Sequence, residues 1–288
     1  MNHTQFPIGV FDSGIGGLSI LKVLLAALPA ERFVYFADTV HNPYGEKSEA
    51  FVQERTLAVA KGLVQQHQIK ALVVACNTAT AAAVHVLRAE YPQLPIVGVE
   101  PALKPAALIT RTGRVAVLAT RGTLQSAKFA QLKASVTAQW EADPLHAGRK
   151  LSFVCTPCDG LAERIERLSQ QPTDLAIAPD LIALCEDFIR ATGEFGIEND
   201  ACDTLVLGCT HYPLIRGVFA QATAGGVQIV DNALPVAQRT AQLLRSAGAL
   251  NAQGTSHMGT AAPVIWESSA PKEGLQRAAQ FWLGETVR

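Results

Sequence analysis

The sequence predicts an α/β protein made of two similar doubly wound domains, each built on a mostly parallel sheet. Short β-branched runs alternate with longer amphipathic runs along the 288 residues, the pattern of repeated strand–helix units. One such unit, Leu72-Val73-Val74-Ala75-Cys76-Asn77-Thr78, is echoed by Leu205-Val206-Leu207-Gly208-Cys209-Thr210-His211. A second pair, Ile8-Gly9-Val10-Phe11-Asp12-Ser13-Gly14 and Val115-Ala116-Val117-Leu118-Ala119-Thr120-Arg121, also runs from an apolar strand into a small polar turn. Duplication of this kind implies two similar α/β domains. The bland alternative is that any two strand–helix turns look alike.

Strands are expected at Ile8–Phe11, Phe33–Ala37, Ala71–Ala75, Ile96–Val99, Val115–Ala119, Leu151–Val154, Thr204–Leu207, Gln228–Val230 and Pro263–Trp266. Their β-branched residues cluster in runs short enough for a sheet covered on both faces. Helices are expected at Leu18–Leu28, Ala50–His67, Thr78–Glu90, Thr123–Val136, Leu161–Leu168, Pro179–Arg190, Leu214–Ala222, Leu234–Ser246 and Glu273–Leu283. Polar breaks fall near Glu100-Pro101 and around Gly208 to Pro213. A chain crossing at both breaks gives a discontinuous first domain, 1–100 plus 211–288, and a second domain over 101–210. That crossing brings both cysteine turns to one interface, where clefts for small ligands commonly lie.

Hydrophobic residues make up 49% and charged residues 17% of the chain, which suits a substantial buried core and argues against disorder. A net charge of −1 and a pI near 6.7 leave no electrostatic footprint for nucleic acid or an anionic membrane. The opening Met1-Asn2-His3-Thr4-Gln5-Phe6 lacks the basic-then-apolar order of a secretory signal. The run Leu18 to Leu28 is broken by Ser19 and Lys22 and is too short to span a bilayer. A cytoplasmic protein is expected, with its six cysteines kept as thiols.

Ligands of parallel α/β sheets bind at the carboxyl ends of the strands, where Cys76 and Cys209 are both expected. A helix N-terminus after each cysteine would favour an anion there and lower the thiol's pKa, making both candidate thiolates. Asn77, Thr78 and Thr210 add donors suited to a carboxylate. The plain alternative is that strand-end cysteines are small hydrophobic filler. A matched pair points instead to chemistry with one proton carrier on each face of a carbon, as racemisation requires. Asp12 at the end of the first strand and His211 two residues after Cys209 are placed to poise those thiols, although each could equally be a cap or a structural residue.

The loop Gly14-Ile15-Gly16-Gly17 fits neither phosphate-loop pattern and can let backbone approach a small zwitterion. Pro43-Tyr44-Gly45 reads as a turn. Cys155-Thr156-Pro157-Cys158 lacks a second pair at zinc spacing, so Cys155, Cys158, Cys185 and Cys202 are taken as structural and no metal site is expected.

Five segments together resemble the glutamate racemases of the aspartate/glutamate racemase family. They are Asp12-Ser13-Gly14-Ile15-Gly16-Gly17, Ala37-Asp38 with Pro43-Tyr44-Gly45, Ala75-Cys76-Asn77-Thr78-Ala79, Thr120-Arg121-Gly122-Thr123, and Leu207-Gly208-Cys209-Thr210-His211-Tyr212-Pro213. The resemblance implies two α/β domains related by pseudo-two-fold symmetry. It also implies interconversion of L- and D-glutamate without pyridoxal phosphate, other cofactor or metal, feeding peptidoglycan synthesis, with a homodimer as a family-level expectation. It assigns Cys76 and Cys209 as the acid–base thiols and Asp12 and His211 as their assistants. Ser13, Tyr44, Gly45, Asn77, Thr78, Thr120, Thr123 and Thr210 would join Asp12 and His211 in lining the amino-acid site. The family also carries a second-domain glutamate after a Cys-Pro pair. Here Cys158-Asp159 follows Pro157, so Glu166 is assigned with Glu163 as the fallback. Rival readings are a sister racemase for aspartate, which in this family lacks the Asp-Ser-Gly-x-Gly-Gly opening, a Cys–His hydrolase, and a non-catalytic amino-acid-binding descendant.

Overall fold

The computed structural model describes residues 3–170, 178–198, 200–223, 225–251 and 264–284. Among these residues, nine strands form two all-parallel sheets. The first holds β1 (Ile8–Asp12), β2 (Phe33–Ala37), β3 (Ala71–Val74), β4 (Ile96–Gly98) and β9 (Val264–Ser268), in the order β4-β3-β1-β2-β9. The second holds β5 (Arg114–Ala119), β6 (Ser152–Pro157), β7 (Thr204–Leu207) and β8 (Gln228–Val230), in the order β6-β5-β7-β8. Reversing the second order maps β5 to β8 onto β1 to β4 one for one. The halves therefore share a topology, with β9 added to the first.

Backbone hydrogen bonds make the match residue by residue. Ala75 N donates to Phe11 O at 2.7 Å, and Gly208 N donates to Leu118 O at 2.7 Å. Asp38 N donates to Asp12 O at 3.0 Å, and Cys158 N donates to Ala119 O at 3.0 Å. Cys76 and Cys209 thus follow equivalent strands at equivalent positions, which is the duplication read from the sequence.

The domain limits need correction. Strand β8 pairs with β7, so the chain is still in the second sheet at Val230, twenty residues past the expected return at 210. Only with α10 (Ala233–Ser246), which packs on α1 (Leu18–Ala27), β3 and β4, does it rejoin the first domain. The polar stretch from Gly208 to Pro213 is a strand-end turn rather than a linker, which is why its composition misled.

Helices cover both sheets, and the central strands β1, β3 and β7 are buried along their whole length, as a sheet covered on both faces requires. In the first half, α2 (Glu49–His67) is capped by Ser48 Oγ, and α3 (Asn77–Glu90) by the Cys76 sulfur itself. In the second half, the single helix expected over Thr123–Val136 is two. Thr120 caps α5 (Arg121–Gln125), and extended Ser126 ends it and caps α6 (Ala127–Ala142). A short α4 (Leu103–Ile109), too brief to show a period, was not anticipated. Next come α7 (Leu161–Gln170), α8 (Pro179–Thr192), α9 (Arg216–Ala222) and α11 (Lys272–Leu283). Pro263, expected to open the last strand, lies outside the described residues. Among the described residues no helix is long and apolar enough to cross a membrane.

The largest apolar cluster joins the halves. It takes in Leu18, Leu21 and Leu24 of α1, Leu161 and Ile165 of α7, and Leu275 and Leu283 of α11. Each such side chain contributes about 1.5–3 kcal/mol when withdrawn from water. Helix α7 is consequently held against the first domain, and that places its Glu166 at the interface.

Candidate active site

Strand β1 ends on Asp12, which is fully buried. Its Oδ1 accepts from Gly14 N at 2.8 Å and its Oδ2 from the Thr210 hydroxyl at 2.9 Å, so one carboxylate ties the turns after β1 and β7. The turn between Asp12 and α1 is pinned by Tyr35, whose hydroxyl donates to Gly14 O at 2.8 Å, and by Ser19, whose hydroxyl donates to Thr210 O at 2.8 Å. The glycines here answer to close approach. A Cβ on Gly14 would enter the Glu166 carboxylate, and one on Gly16 would enter the His211 ring.

Each cysteine heads its own chain of polar partners. Cys76 Sγ lies 3.9 Å from Ser13 Oγ and accepts from Ala79 N at 3.5 Å; Ser13 Oγ is 3.4 Å from Asp12 Oδ1. Cys209 Sγ lies 3.7 Å from His211 Nδ1, and His211 Nε2 lies 2.7 Å from Glu166 Oε1. Ile15 N donates to that same Oε1 at 2.7 Å. Both thiols are at least nine-tenths buried, at 6% and 8% exposure. One chain runs thiol–serine–aspartate and the other thiol–imidazole–glutamate.

Burial sets the electrostatics. It raises the Asp12 carboxyl to about 6, against the lowering effects of His211, Gly14 N–H and Thr210. Burial also pushes the Cys76 thiol up, and nearby Asp12 pushes it the same way. The expected lowering at a helix N-terminus is thus overturned here. The Ala79 N–H does favour the thiolate, but desolvation outweighs it. His211 moves the other way: burial alone would lower it, yet its bonds to Cys209 and Glu166 hold it well above the usual imidazole range. Cys209 also departs from expectation locally, because a 3₁₀ turn (Tyr212–Ile215) follows it and α9 begins only at Arg216.

A group of hydroxyls lies beside the Cys76 turn. Thr78 Oγ1 is 3.1 Å from Thr120 Oγ1 and 3.4 Å from Thr123 Oγ1, and the latter two are 3.0 Å apart. Gly45 packs so closely on Thr120 that a Cβ would collide with it. Asn77 Nδ2 reaches Val99 O at 3.5 Å, while its buried Oδ1 has no hydrogen-bond partner among the described residues.

Residues 8–139 match the family described as Asp/Glu/Hydantoin racemase. A glutamate racemase from Pseudomonas paraeruginosa is 45% identical over 93% of this chain and 90% of its own length. The chain belongs to the Asp/Glu/Hydantoin racemase family. A second relative, the glutamate racemase of Ectopseudomonas mendocina, is 41% identical over 100% of this chain and 98% of its own. Among solved structures, Escherichia coli glutamate racemase, in complex with L-glutamate and an activator, is 30% identical and superposes with a TM-score of 0.77 over 98% and 97% of the two chains. As a member of this family the chain is an isomerase, an amino-acid racemase.

Seen against the racemase family, the geometry draws together the residues singled out in sequence. Asp12, Ser13, Cys76 and Thr210 are linked by the contacts above, and Cys209 and His211 are linked in turn to Glu166 of α7. Its fallback is not so placed: Glu163 pairs with Arg167 on the exposed face of the same helix. Tyr44 lies behind Gly45 with its hydroxyl on Asp38 Oδ2 at 2.5 Å. Cys155, Cys158, Cys185 and Cys202 are free thiols; of these, Cys158 lies near enough to Cys209 for the two to interact electrostatically. Among the described residues no group of three His, Cys, Asp or Glu side chains could hold a metal ion.

Sequence reasoning missed the supports. Arg55 of α2 binds Asp38 through Nε and Nη2, both at 3.0 Å, and so fixes the carboxylate that holds Tyr44. Nothing in the sequence marks Arg55, since an arginine on an amphipathic helix reads as solvated. Glu46 Oε1 accepts from Gly160 N at 3.2 Å, reaching from the Tyr44 turn to the start of α7.

Proposed function

We propose that this racemase interconverts L- and D-glutamate by a two-thiol proton transfer, without cofactor, and supplies D-glutamate for peptidoglycan in the cytoplasm. The observation that carries this reading is the placement of Cys76 and Cys209 at equivalent strand ends of two like sheets, each with its own proton-handling partners. One sulfur as thiolate takes the α-proton while the other, as thiol, gives its proton to the opposite face. Running the roles in reverse converts the other enantiomer. Asp12 through Ser13 serves Cys76, and His211 with Glu166 serves Cys209.

The carbanion that develops needs oriented donors in a dry cleft. Ser13, Thr78, Thr120, Thr123 and Thr210 supply hydroxyls for the substrate carboxylates, and Asn77 Oδ1, which has no partner among the described residues, suits an ammonium group. Tyr44 and Gly45 close the site beside Thr120. Glutamate, rather than a shorter acid, is supported by the relatives: both curated ones are glutamate racemases, and the Escherichia coli enzyme was solved with L-glutamate.

The test is α-proton exchange in heavy water together with circular dichroism of L-glutamate and L-aspartate turnover. Glutamate is expected to racemise with solvent deuterium entering the product. Native-rate racemisation by Cys76→Ser or Cys209→Ser would sink the two-thiol scheme, and preferred turnover of aspartate would sink the substrate.

A further inference from the structure

Glu166 ends the Cys209 chain and also lines a cavity of about 450 Å³ between α7 and α11. Ile15, Thr39 and Ser169 line the same space, with Glu273, Gly274 and Arg277 of α11 facing them. Trp282 of α11 donates from Nε1 to Ser169 Oγ at 2.7 Å, holding the two helices at this spacing. Such a space has room for several water molecules, and its polar lining offers them partners. The Cys76 chain runs inward instead. It passes through Ser13 to Asp12, which is 0% exposed and whose oxygens are taken by Gly14 N and the Ser13 and Thr210 hydroxyls.

We propose that the cavity between α7 and α11 is a proton port for one face of the reaction: with substrate in the cleft, Cys209 trades its hydrogen with water through His211 and Glu166, while the hydrogen on Cys76 stays enclosed. The inference rests on the two-thiol reading above. The step balances as proton transfers alone. Once Cys209 has become a thiol, the negative charge beside His211 Nδ1 is gone, and the relay runs from neutral His211 with its one proton on Nε2. The proton leaves Cys209 Sγ for the free Nδ1 as the proton on Nε2 passes to the Glu166 carboxylate, and Glu166 gives it to cavity water. The reverse sequence returns a solvent proton to Cys209, and no electron moves. The charged groups around this path are Asp12 and His211 on the inner side and Glu273 and Arg277 across the cavity.

Gly274 offers a way to plug the port without touching the relay. It is a helical glycine lining the cavity, with nothing within 4 Å of where its Cβ would stand. Gly274→Leu therefore fills the space and gains helix propensity. The experiment mixes α-deuterated glutamate of one hand with carbon-labelled, α-protonated glutamate of the other hand, both saturating, in ordinary water. Mass spectrometry then counts carbon-labelled molecules that have acquired deuterium, which measures how long each thiol keeps the hydrogen it took. Wild-type enzyme is expected to carry deuterium over poorly for the hand served by Cys209 and well for the hand served by Cys76. Gly274→Leu should raise the poor carry-over severalfold and leave the good one unchanged, while Gly274→Ala behaves as wild type. Equal carry-over from both hands in the wild type, or an unchanged profile in a folded Gly274→Leu, overturns the port. Failure of the underlying reading has its own signature, read on the hand served by Cys76, whose hydrogen the port does not reach: in heavy water that unlabelled hand would acquire deuterium in the recovered starting material as readily as in the product.

Discussion

Cys76 and Cys209 stand at the same place in two sheets of the same topology, yet their surroundings differ at every neighbouring position. Cys76 caps a regular helix and packs in the apolar cluster between the first sheet and its helices, α2 and α3. Cys209 is followed by a 3₁₀ turn and belongs to the large cluster that joins the halves. The strand-end residue is Asp12 in one half and Ala119 in the other, and the second residue after the cysteine is Thr78 in one and His211 in the other. The acid that partners the first thiol is thus local, while the acid behind the second arrives from α7. Duplication fixes where the two sulfurs stand, as the proposed two-thiol transfer needs. Divergence of their neighbours gives each a different acid–base environment, which two faces of one carbon can use only if both can still give and take a proton.

The sharpest break in that comparison is removal of either sulfur. Cys76→Ser and Cys209→Ser should each lower racemisation by about 10²–10⁴-fold, the usual worth of a positioned proton carrier. Rates in both glutamate directions check it, and a large loss in one variant with none in the other would end the equivalence of the two turns. Next in size is the imported acid: Glu166→Gln is expected to cost about 10²-fold in kcat. Glu163→Gln, altering an exposed helical ion pair, should change stability by no more than about 0.5 kcal/mol and leave kcat alone.

The local acid is expected to show itself in stability. Asp12 titrates near 6 in the fold against 3.8 as an ordinary side chain, so the folded protein binds more protons between those values. Stability from this group is fully present below 3.8 and is lost as pH rises through about 6. A shift of about two units corresponds to roughly 3 kcal/mol at most. Thermal melts of wild type and Asp12→Asn should therefore diverge across that window in favour of the variant, and parallel curves would show that Asp12 is not held up by burial. Apart from the near-silent Glu163→Gln control, the smallest effect expected is at the support of the first half. Arg55→Ala leaves Asp38 buried without its guanidinium and loosens Tyr44, costing about 1–3 kcal/mol and raising the KM for glutamate more than it lowers kcat. Steady-state kinetics and a melt test it together.

Much of the candidate site was legible because the groups concerned lie at strand ends. Asp12, Ser13, Cys76, Thr120 and Cys209 each follow a strand visible as a short β-branched run, and a parallel sheet brings such ends together. Glu166 was reached only through the family pattern, with its register open. An amphipathic helix presents several acids, and only packing tells which one faces inward. Arg55, Tyr35, Ser19 and the α7–α11 cavity were not legible, because each depends on which helix covers which sheet and at what height.

What the sequence determined by itself was therefore the period and the punctuation: strands, most helices, a repeated cysteine turn, and hence two parallel sheets of one design. Local propensity and hydrophobic spacing act within a few residues, so one chain read in order carries them. The return of the chain after Val230, the choice of Glu166 over Glu163, and the rise of the Cys76 thiol were decided only by tertiary structure. Each turns on desolvation or on a partner distant in sequence, quantities that exist only once the two halves have closed on one another.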